Sequence, residues 1–437
     1  MNKVILHSDI NHFYAAVECL KKPELFRVPV AVCGDPALRH GVVLAKNMLA
    51  KAAGVKTGDT AGEAARKCPG IMLVKPDFPE YERLSNYIFN LYTRYSDRVE
   101  PYGPDECWID ASRTLSWTAP QSSDRANDAD LRVGEAIANE IRREITAETG
   151  LTVSVGVSWN KTFAKMGSDL KKPDAVTVID RQNYREKLYG LPVNELFMVG
   201  KQTAKRLKLL NLKTIGELAA AQDFVLLDNF GKFGATLLKY ARGQDDAPVR
   251  YYYEGRKVES VGHGTTTKRD VVTLEDARAV LLSLADMVAK RLRDYSRVCT
   301  GVSVHLRDNA LSSVSRQKHI PATNSGSDIA RGCMELLVAN YTPGVDKPLR
   351  TVTISAFGLR DESDGNQLSF FDAGQTKKTA INGVLDSIND KYGKGTVKRA
   401  LLLNNDLLMG KQSAEDFLPF KREAVKGTLD IDENNQE

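Results

Sequence analysis

The chain has 437 residues, of which 42% are hydrophobic and 27% charged, and its formal net charge is +5. A chain of this length exceeds a single hydrophobic core and predicts three or four domains. Its six cysteines occur singly and no apolar run approaches the length of a membrane span, which excludes a disulfide scaffold and a membrane-spanning protein and favours a soluble cytoplasmic protein with reduced thiols.

The first predicted strand ends in an acidic residue. Residues 4–8 are mostly apolar and lead into Asp9, and a second acidic pair, Asp105 and Glu106, follows a Gly103-Pro104 turn. The turn can break strand alternation and let both carboxylates reach one ion. Hard cations such as Mg2+ prefer oxygen ligands, and two of them can hold the reacting oxygens of a phosphoryl transfer. The three acids therefore predict a metal site, with solvated strand ends as the alternative.

A helix and another strand extend the same predicted sheet. Ile137, Ile141 and Ile145 recur at four-residue spacing and stop before Gly150, which predicts an amphipathic helix over residues 131–149. Alternation over residues 153–157 predicts a half-buried strand. We therefore expect an α/β domain in this part of the chain.

Two glycine-containing turns precede basic helices in the middle of the chain. Gly200 and Lys201 open one, and Gly231 to Gly234 opens the other. Such turns predict helix-hairpin-helix elements whose backbone N–H groups bind phosphate, with an ordinary helix-loop-helix as the alternative. Residues 200–320 contain 21 Lys and Arg against 13 Asp and Glu, so a polyanionic partner would lie along this region, with a solvated basic surface as an equal alternative.

The composition changes again after residue 244. A polar segment rich in tyrosine, residues 245–257, predicts a linker between domains. Beyond it, helical spacing of apolar residues over 281–292 and alternation over 302–306 predict a second domain of strands and helices.

Taken in order, these features resemble the Y-family translesion DNA polymerases, over residues 1 to about 410. The resemblance rests on Ser8–Glu18, on residues 99–102 leading into Asp105 and Glu106, and on four shorter motifs. These motifs are Gly54-Val55-Lys56, Asn160-Lys161, Ala164-Lys165 and Lys172-Pro173.

The resemblance implies a multidomain α/β fold, that of a right-hand polymerase. Its parts would be a palm (residues 1–18 and 79–178), fingers (19–78), a helix-hairpin-helix thumb (179–244), a linker (245–257), a little-finger domain (258–360) and a C-terminal tail (361–437).

The resemblance also implies a function. The chain would add deoxynucleoside triphosphates to a primer paired with a DNA template and would bypass damaged bases. Two Mg2+ ions would be bound by Asp9, Asp105, Glu106 and the backbone carbonyl of Ile10. The ring of Tyr14 would exclude a ribose 2′-hydroxyl by steric contact. Other nucleotide-binding residues would be Phe13, Leu44, Lys51 and Lys161, and the DNA-binding residues would be Gly200, Lys201, Gly231 and Gly234.

Two positions depart from the pattern of polymerase IV relatives. At these positions the relatives usually have a Thr and a Tyr that hydrogen-bond the triphosphate. This chain has Ala45 and Met48, which cannot donate such bonds. Lys46 or Lys51 would then supply the positive charge. Relatives also have a leading glycine in the first thumb turn, where this chain has Met198.

A short apolar peptide lies in the polar tail. Gln367, Leu368, Phe370 and Phe371 resemble the peptide by which bacterial polymerases bind the β sliding clamp. We expect a monomeric polymerase that binds the clamp through this peptide. The alternative is that the segment folds back, together with the amphipathic stretch from Ile381 to Ile388, onto the little finger.

Two other functions share some of these features. A nucleotidyl cyclase also places two metals on a palm-like sheet, but it has no need of helix-hairpin-helix elements. A catalytically inactive DNA-binding or scaffold subunit of a repair complex would be expected to lack one of the three acids, and this chain has all of them.

Overall fold

In the computed structural model, residues 3–35, 41–113, 126–254, 258–365, 373–393, 395–403 and 407 are described. The N-terminal unit contains Met1–Gly34 and Val42–Gly255, and the C-terminal unit contains Arg256–Phe417. All six cysteines are buried free thiols, in agreement with their single spacing. No helix in the described ranges combines the length and the apolar composition needed to cross a bilayer.

Strands and helices alternate through most of the N-terminal unit, and its last part is helical. The strands are β1 (Ile5–Ile10), β2 (Val30–Cys33), β3 (Val43–Lys46), β4 (Met72–Val74), β5 (Val99–Pro101), β6 (Glu106–Asp110), β7 (Val153–Ser158) and β8 (Val176–Val178). The helices are α1 (Phe13–Lys21), α2 (Met48–Ala52), α3 (Ala61–Lys67), α4 (Phe78–Tyr92), α5 (Ala126–Thr149), α6 (Lys161–Leu170), α7 (Tyr184–Leu188), α8 (Lys201–Leu209), α9 (Ile215–Ala220), α10 (Asp223–Phe230) and α11 (Lys232–Ala241).

Strand β1 is the centre of a five-stranded sheet with the order β5-β6-β1-β7-β8. It pairs antiparallel with β6 and β7, and β8 runs parallel to β7. Every residue of β1 and β7 is buried, because α4 and α5 pack on one face and α6 packs on the other. As their spacing predicts, Ile137, Ile141 and Ile145 of α5 lie in this core.

Helix α6 approaches the sheet closely at a pair of glycines. A Cβ added to Gly156 on β7 would lie 1.9 Å from the carbonyl oxygen of Ala164, and one added to Gly167 would lie 3.0 Å from the Cα of Gly156. Only glycine permits this contact. The contact therefore fixes how closely α6, and the lysines on it, lie to the sheet.

The predicted fingers contain a smaller sheet with the order β3-β2-β4. Its helices begin where the sequence supplies caps: the side chain of Asn47 caps α2, and Thr60 and Glu63 form a capping box at the start of α3. The helices and strands enclose a small apolar core around Val43, Ala50 and Val55.

Helices α7–α11 of the predicted thumb share an apolar core of their own. The chain then continues through residues 245–254, the described part of the predicted linker. Here Arg250 donates from its backbone N (3.1 Å) and from its guanidinium (3.0 Å) to the buried Glu100 of β5. The guanidinium of Arg98 lies 4.2 Å from the ring centre of Tyr251. These residues therefore pack on the large sheet as part of the N-terminal unit.

The C-terminal unit is a four-stranded antiparallel sheet with two helices on one face. The sheet order is β11-β10-β12-β9, and a short strand, β13, pairs with β10. The strands are β9 (Ser260–Val271), β10 (Arg297–Asp308), β11 (Ser313–Thr323), β12 (Leu349–Phe357) and β13 (Arg360–Asp361), and the helices are α12 (Leu274–Asp294), α13 (Gly326–Val338) and α14 (Ala373–Tyr392).

Helix α14 is attached to α12 by ion pairs. Arg293 donates to both oxygens of Asp386, at 2.6 and 2.9 Å, and Lys290 lies 3.3 Å from Asp390. The amphipathic stretch from Ile381 to Ile388 thus folds onto this unit. The predicted clamp peptide, residues 367–371, lies outside the described residues.

Candidate active site

Three carboxylates meet at one edge of the large sheet. Asp9, near the end of β1, is the register partner of Glu106, the first residue of β6. The backbone N of Ile10 donates to the carbonyl of Asp105 at 2.9 Å. The two backbone segments therefore remain hydrogen-bonded one residue beyond the pair of Asp9 and Glu106. The Gly103-Pro104 turn places Asp105 before β6 begins. Strand alternation therefore does not separate the side chains of residues 105 and 106.

Burial at this edge raises the pKa of two of the three carboxyls. Burial, followed by the negative charges of Asp9 and Glu106, raises the pKa of Asp105 to about 7. Burial raises the pKa of Asp9 to about 6, although Lys172 acts in the opposite direction. Among the described residues no cation lies at ion-pair distance from Asp105. A cation from outside the chain would relieve this repulsion.

Glu106, unlike Asp105, has a cationic partner within the chain. Its Oε2 lies 2.6 Å from Nζ of Lys165 on α6 and 3.5 Å from Nε2 of His7. Burial alone would raise the pKa of Glu106, but the contacts with His7 and Lys165 outweigh it and lower the pKa to about 2. Burial also lowers the pKa of His7 to about 4, so its ring is neutral, and its Nδ1 lies 2.8 Å from the hydroxyl of Ser168. Glu106 is therefore a fixed anion.

Lys172 is a site residue that the sequence analysis did not assign. Its Nζ lies 2.7 Å from Oδ2 of Asp9 and 2.8 Å from Asp169. The loop that bears it is held by Asn11, whose side-chain oxygen accepts a hydrogen bond of 2.8 Å from the backbone N of Asp174. Its signal was present in the Lys172-Pro173 motif, because residues just before β8 lie at the same sheet edge as the end of β1.

Lys161 contacts Glu100 and Trp108 rather than the three carboxylates. Its Nζ is 2.7 Å from Oε2 of Glu100 and 4.5 Å from the ring centre of Trp108. Glu100 also binds Arg250. Lys161 thus contributes to the attachment of residues 245–254, and the structure does not bring it to the carboxylate cluster.

Tyr14 and Phe13 face different environments although they are adjacent. Tyr14 is half-buried, and burial, together with the nearby charge of Asp105, raises the pKa of its phenol to about 12. The Tyr14 side chain is therefore close to the carboxylates. Phe13 is only 3% exposed and belongs to the main core, so its side chain is not placed for a nucleotide contact, contrary to expectation.

The fingers contribute basic residues near the end of β1. His12 lies with Nε2 2.8 Å from Sδ of Met48, and its pKa is lowered to about 4, first by burial and then by the charges of Lys51 and Lys46. Lys51 is exposed, and Leu44 is exposed on the neighbouring strand β3. Lys46 and Lys51 therefore both lie where the sequence analysis expected a substitute for the missing Thr and Tyr.

The thumb glycines divide into two kinds. Gly200 is the exposed N-cap of α8, next to the exposed Lys201, and Gly231, with a φ of 59°, is exposed between α10 and α11. Gly234 is buried, and a Cβ there would lie 2.1 Å from the carbonyl oxygen of Leu226. Gly234 therefore permits α10 and α11 to pack, and the expectation that it contacts DNA is corrected.

The donor set fits a hard divalent cation. Three carboxylates and the carbonyl of Ile10 offer oxygen ligands only, which Mg2+ prefers, and burial raises the pKa values of Asp9 and Asp105. As they lie, Asp9 and Glu106 face lysines, and across the described ranges no three His, Cys, Asp or Glu side chains converge as a complete metal site. Binding would therefore require these carboxylates to turn from their lysine partners.

A sheet with converging acids, a helical region with glycine-capped helices and a separate β unit together define the architecture of a right-hand polymerase. A chimeric Y-family DNA polymerase of known structure has the same fold, with a TM-score of 0.69 and 23% identity, over 82% of this chain and 99% of that one.

Comparison of sequences gives the family. The impB/mucB/samB family matches residues 8–169, and its C-terminal domain matches residues 258–370. DNA polymerase IV of Acetivibrio thermocellus is 40% identical over 93% of this chain and 98% of its own length, and that of Clostridium acetobutylicum is 34% identical over 93% and 100%. The chain belongs to the impB/mucB/samB family, the Y-family of translesion DNA polymerases.

Proposed function

We propose that this DNA polymerase extends a primer past damaged template bases by two-metal phosphoryl transfer at Asp9, Asp105 and Glu106. The observation that supports it best is that Asp9, Asp105 and Glu106 lie next to one another at one edge of the sheet, with the pKa of Asp105 raised to about 7 and no cationic partner for Asp105 among the described residues. As a family member, the chain binds primer-template DNA and deoxynucleoside triphosphates.

Two Mg2+ ions, when bound, would activate the primer 3′-oxygen and stabilise the charge that develops on the triphosphate. Asp9, Asp105 and the carbonyl of Ile10 would supply ligands for them. Glu106 is already ionised and oriented by Lys165. An ionised carboxylate needs no loss of a proton before it binds a cation, although Glu106 must first turn from Lys165.

We assign the triphosphate contact to Lys172 rather than to Lys161. Lys172 is beside Asp9, whereas Lys161 is engaged by Glu100. A lysine bound to a carboxylate in the free enzyme can transfer to the triphosphate and leave the carboxylate to a metal. Lys46 and Lys51 of the fingers would add positive charge, and Leu44 would lie over the templating base.

Tyr14 would act as the steric gate, the ring that excludes a ribose 2′-hydroxyl. Its closeness to Asp105 supports this role, because the sugar of an incoming nucleotide must lie beside the metal site. No hydrogen bond is needed for such selection, since a ring in contact with C2′ leaves no room for another oxygen.

DNA binding would use the thumb and the C-terminal unit. Gly200, Lys201 and Gly231 are exposed residues at helix starts, where backbone phosphates could bind without sequence being read. We also propose that the polymerase is a cytoplasmic monomer.

The tail peptide would bind a β sliding clamp through Gln367, Leu368, Phe370 and Phe371. Tethering would raise processivity through local concentration. Replacement of both phenylalanines by Ala should remove stimulation by the clamp and leave clamp-free extension intact; loss of clamp-free extension would contradict the proposal.

Primer extension with metal-site variants tests the proposed chemistry. Asp105→Ala and Glu106→Ala should each lower the rate of nucleotide addition by at least about a hundredfold, while DNA affinity, measured on the same primer-template, changes little. Asp110→Ala is the matched control, because Asp110 is on the same strand β6 but pairs with Ile5 at the far end of β1. Retained extension in either site variant would contradict the metal assignment.

A further inference from the structure

The ring of Tyr81 lies directly behind the ring of Tyr14. The two rings stack with centres 4.2 Å apart and planes 12° apart. Tyr14 belongs to α1 and is half-buried, whereas Tyr81 belongs to α4 and is 1% exposed. One face of the Tyr14 ring is therefore covered by a side chain that is itself enclosed by protein.

Tyr81 is fixed at its far end as well. Its hydroxyl donates a 2.6 Å hydrogen bond to Glu18 of α1, a carboxylate that is 3% exposed. Lys21 lies 3.5 Å from Glu18 and 2.6 Å from Asp77, whose side chain caps the start of α4. The Tyr81 ring cannot slide without breaking a buried, charge-assisted hydrogen bond.

Two phenylalanines limit sideways movement of the pair. Phe78 contacts both tyrosine rings edge-on, at 6.0 Å from Tyr14 and 5.9 Å from Tyr81. Phe13 lies 5.4 Å from Tyr14 and 6.1 Å from Tyr81. Edge-to-face and stacked contacts of this kind favour one mutual orientation of the rings.

To exclude the single oxygen atom of a ribose 2′-hydroxyl, the ring of Tyr14 must stay in place. If Tyr14 could move away from the sugar, a ribonucleotide would fit at little cost. Movement of the ring towards the face on which Tyr81 is stacked is blocked. The helix pair α1 and α4, joined through Glu18 and Tyr81, therefore opposes that movement.

We propose that Tyr81, anchored by Glu18, is a positioning residue for sugar selection, and that it acts by holding the ring of Tyr14. The inference rests on the proposed role of Tyr14 as steric gate. Tyr81 touches neither the nucleotide nor the metal site and acts only through Tyr14.

Single-nucleotide incorporation by the full chain tests this inference, with kcat/KM measured for a deoxynucleotide and for the ribonucleotide of the same base. Tyr81→Leu should raise ribonucleotide kcat/KM and reduce sugar selectivity by about three- to tenfold, the range that loss of one aromatic stack allows. A variant that is merely damaged would lose ribonucleotide use rather than gain it. Tyr81→Phe, which keeps the ring but not its anchor, should lie between the wild type and Tyr81→Leu.

The matched control is Tyr95→Leu. Tyr95 also donates to a glutamate, Glu144, at 2.5 Å and packs on the same core, and its replacement should leave sugar selectivity unchanged. The double variant Tyr14→Ala with Tyr81→Leu should be no less selective than Tyr14→Ala alone, since Tyr81 has no ring left to hold.

The possible outcomes distinguish the proposed role of Tyr14 as steric gate from the inference about Tyr81. If Tyr14→Ala does not increase ribonucleotide use, the proposed gate is wrong. If Tyr14→Ala does so but Tyr81→Leu does not, or if the two effects add, the inference about Tyr81 is wrong and the gate stands. Should Tyr81→Leu fail to unfold cooperatively on heating, Tyr81→Met, which refills the space with a flexible chain, replaces it with the same expectation.

Discussion

Asp276 in the C-terminal unit and Asp105 in the N-terminal unit are two carboxylates in opposite environments. In the C-terminal unit, Asp276 on α12 accepts two hydrogen bonds of 3.0 Å from Arg269, and this pairing holds its pKa below the usual range. In the N-terminal unit, Asp105 is buried near two other acids, and its pKa rises to about 7. An acid paired within the chain stabilises the fold, whereas an acid left uncompensated is available to a ligand.

The same contrast separates lysines and arginines. Arg399 donates to both oxygens of Asp286 at 2.7 and 2.8 Å and so attaches a late segment of the C-terminal unit to α12. Lys172 also binds an aspartate, but that aspartate belongs to the carboxylate cluster. Pairing alone therefore does not distinguish structural charges from those beside the carboxylate cluster.

The largest effect expected from this comparison is the difference in kcat/KM between the alanine variants of Lys172 and Lys161. Lys172→Ala should lower kcat/KM for deoxynucleotides by about 10- to 100-fold, because a charge-assisted contact to the triphosphate is lost. Lys161→Ala should act mainly on stability, lowering it by about 1–3 kcal/mol, since Glu100 loses one of its two cations. Single-nucleotide kinetics and thermal unfolding of both variants measure the difference.

Arg399→Ala is a suitable control for charge removal, because Arg399 pairs only within the C-terminal unit in the contacts described above. It should leave the kinetics of nucleotide addition close to wild type. A larger kinetic loss in Lys161→Ala than in Lys172→Ala would reverse the assignment of the triphosphate contact.

The smallest expected effect concerns Asp276. Its pKa is lowered in the folded protein, chiefly by the hydrogen bonds from Arg269, so its contribution to stability is present above the unfolded-state pKa and is lost as the pH falls through the folded value. Asp276→Asn should lower stability at pH 7 by up to about 1 kcal/mol, as for other partly exposed pairs. Thermal unfolding of variant and wild type should converge in acid; a difference that persists there would show another cause.

The position of each acid at the end of a strand could be predicted from the sequence because its signals are local, namely a strand that ends at Asp9 and a Gly103-Pro104 turn before Asp105 and Glu106. Their proximity depends on the long-range pairing of β1 with β6, which only the order of motifs in the family resemblance indicated. The amphipathic spacing of α5 is local in the same sense.

The misplaced residues depend on contacts between distant segments. Lys161 and Lys172 are 11 positions apart and flank one helix, and only the order of β7 and β8 in the sheet decides which reaches Asp9. Gly234 resembles a phosphate-binding glycine until α10 packs against it. Nothing in the sequence of strand β5 predicts that Glu100 binds Arg250, 150 residues later in the chain.

The central position of β1 has a consequence for the order of synthesis. Its two partners, β6 and β7, leave the ribosome roughly 100 and 150 residues after it, which at typical elongation rates is an interval of about 5 to 30 s. During that time both edges of a strand that is fully buried in the folded protein are without their partners, which exposes it to aggregation. Of the charged groups that meet at this end of the sheet, Asp9 is therefore synthesised first and Lys172 last, so that Asp9 remains without its lysine partner until all the strands that flank β1 are made.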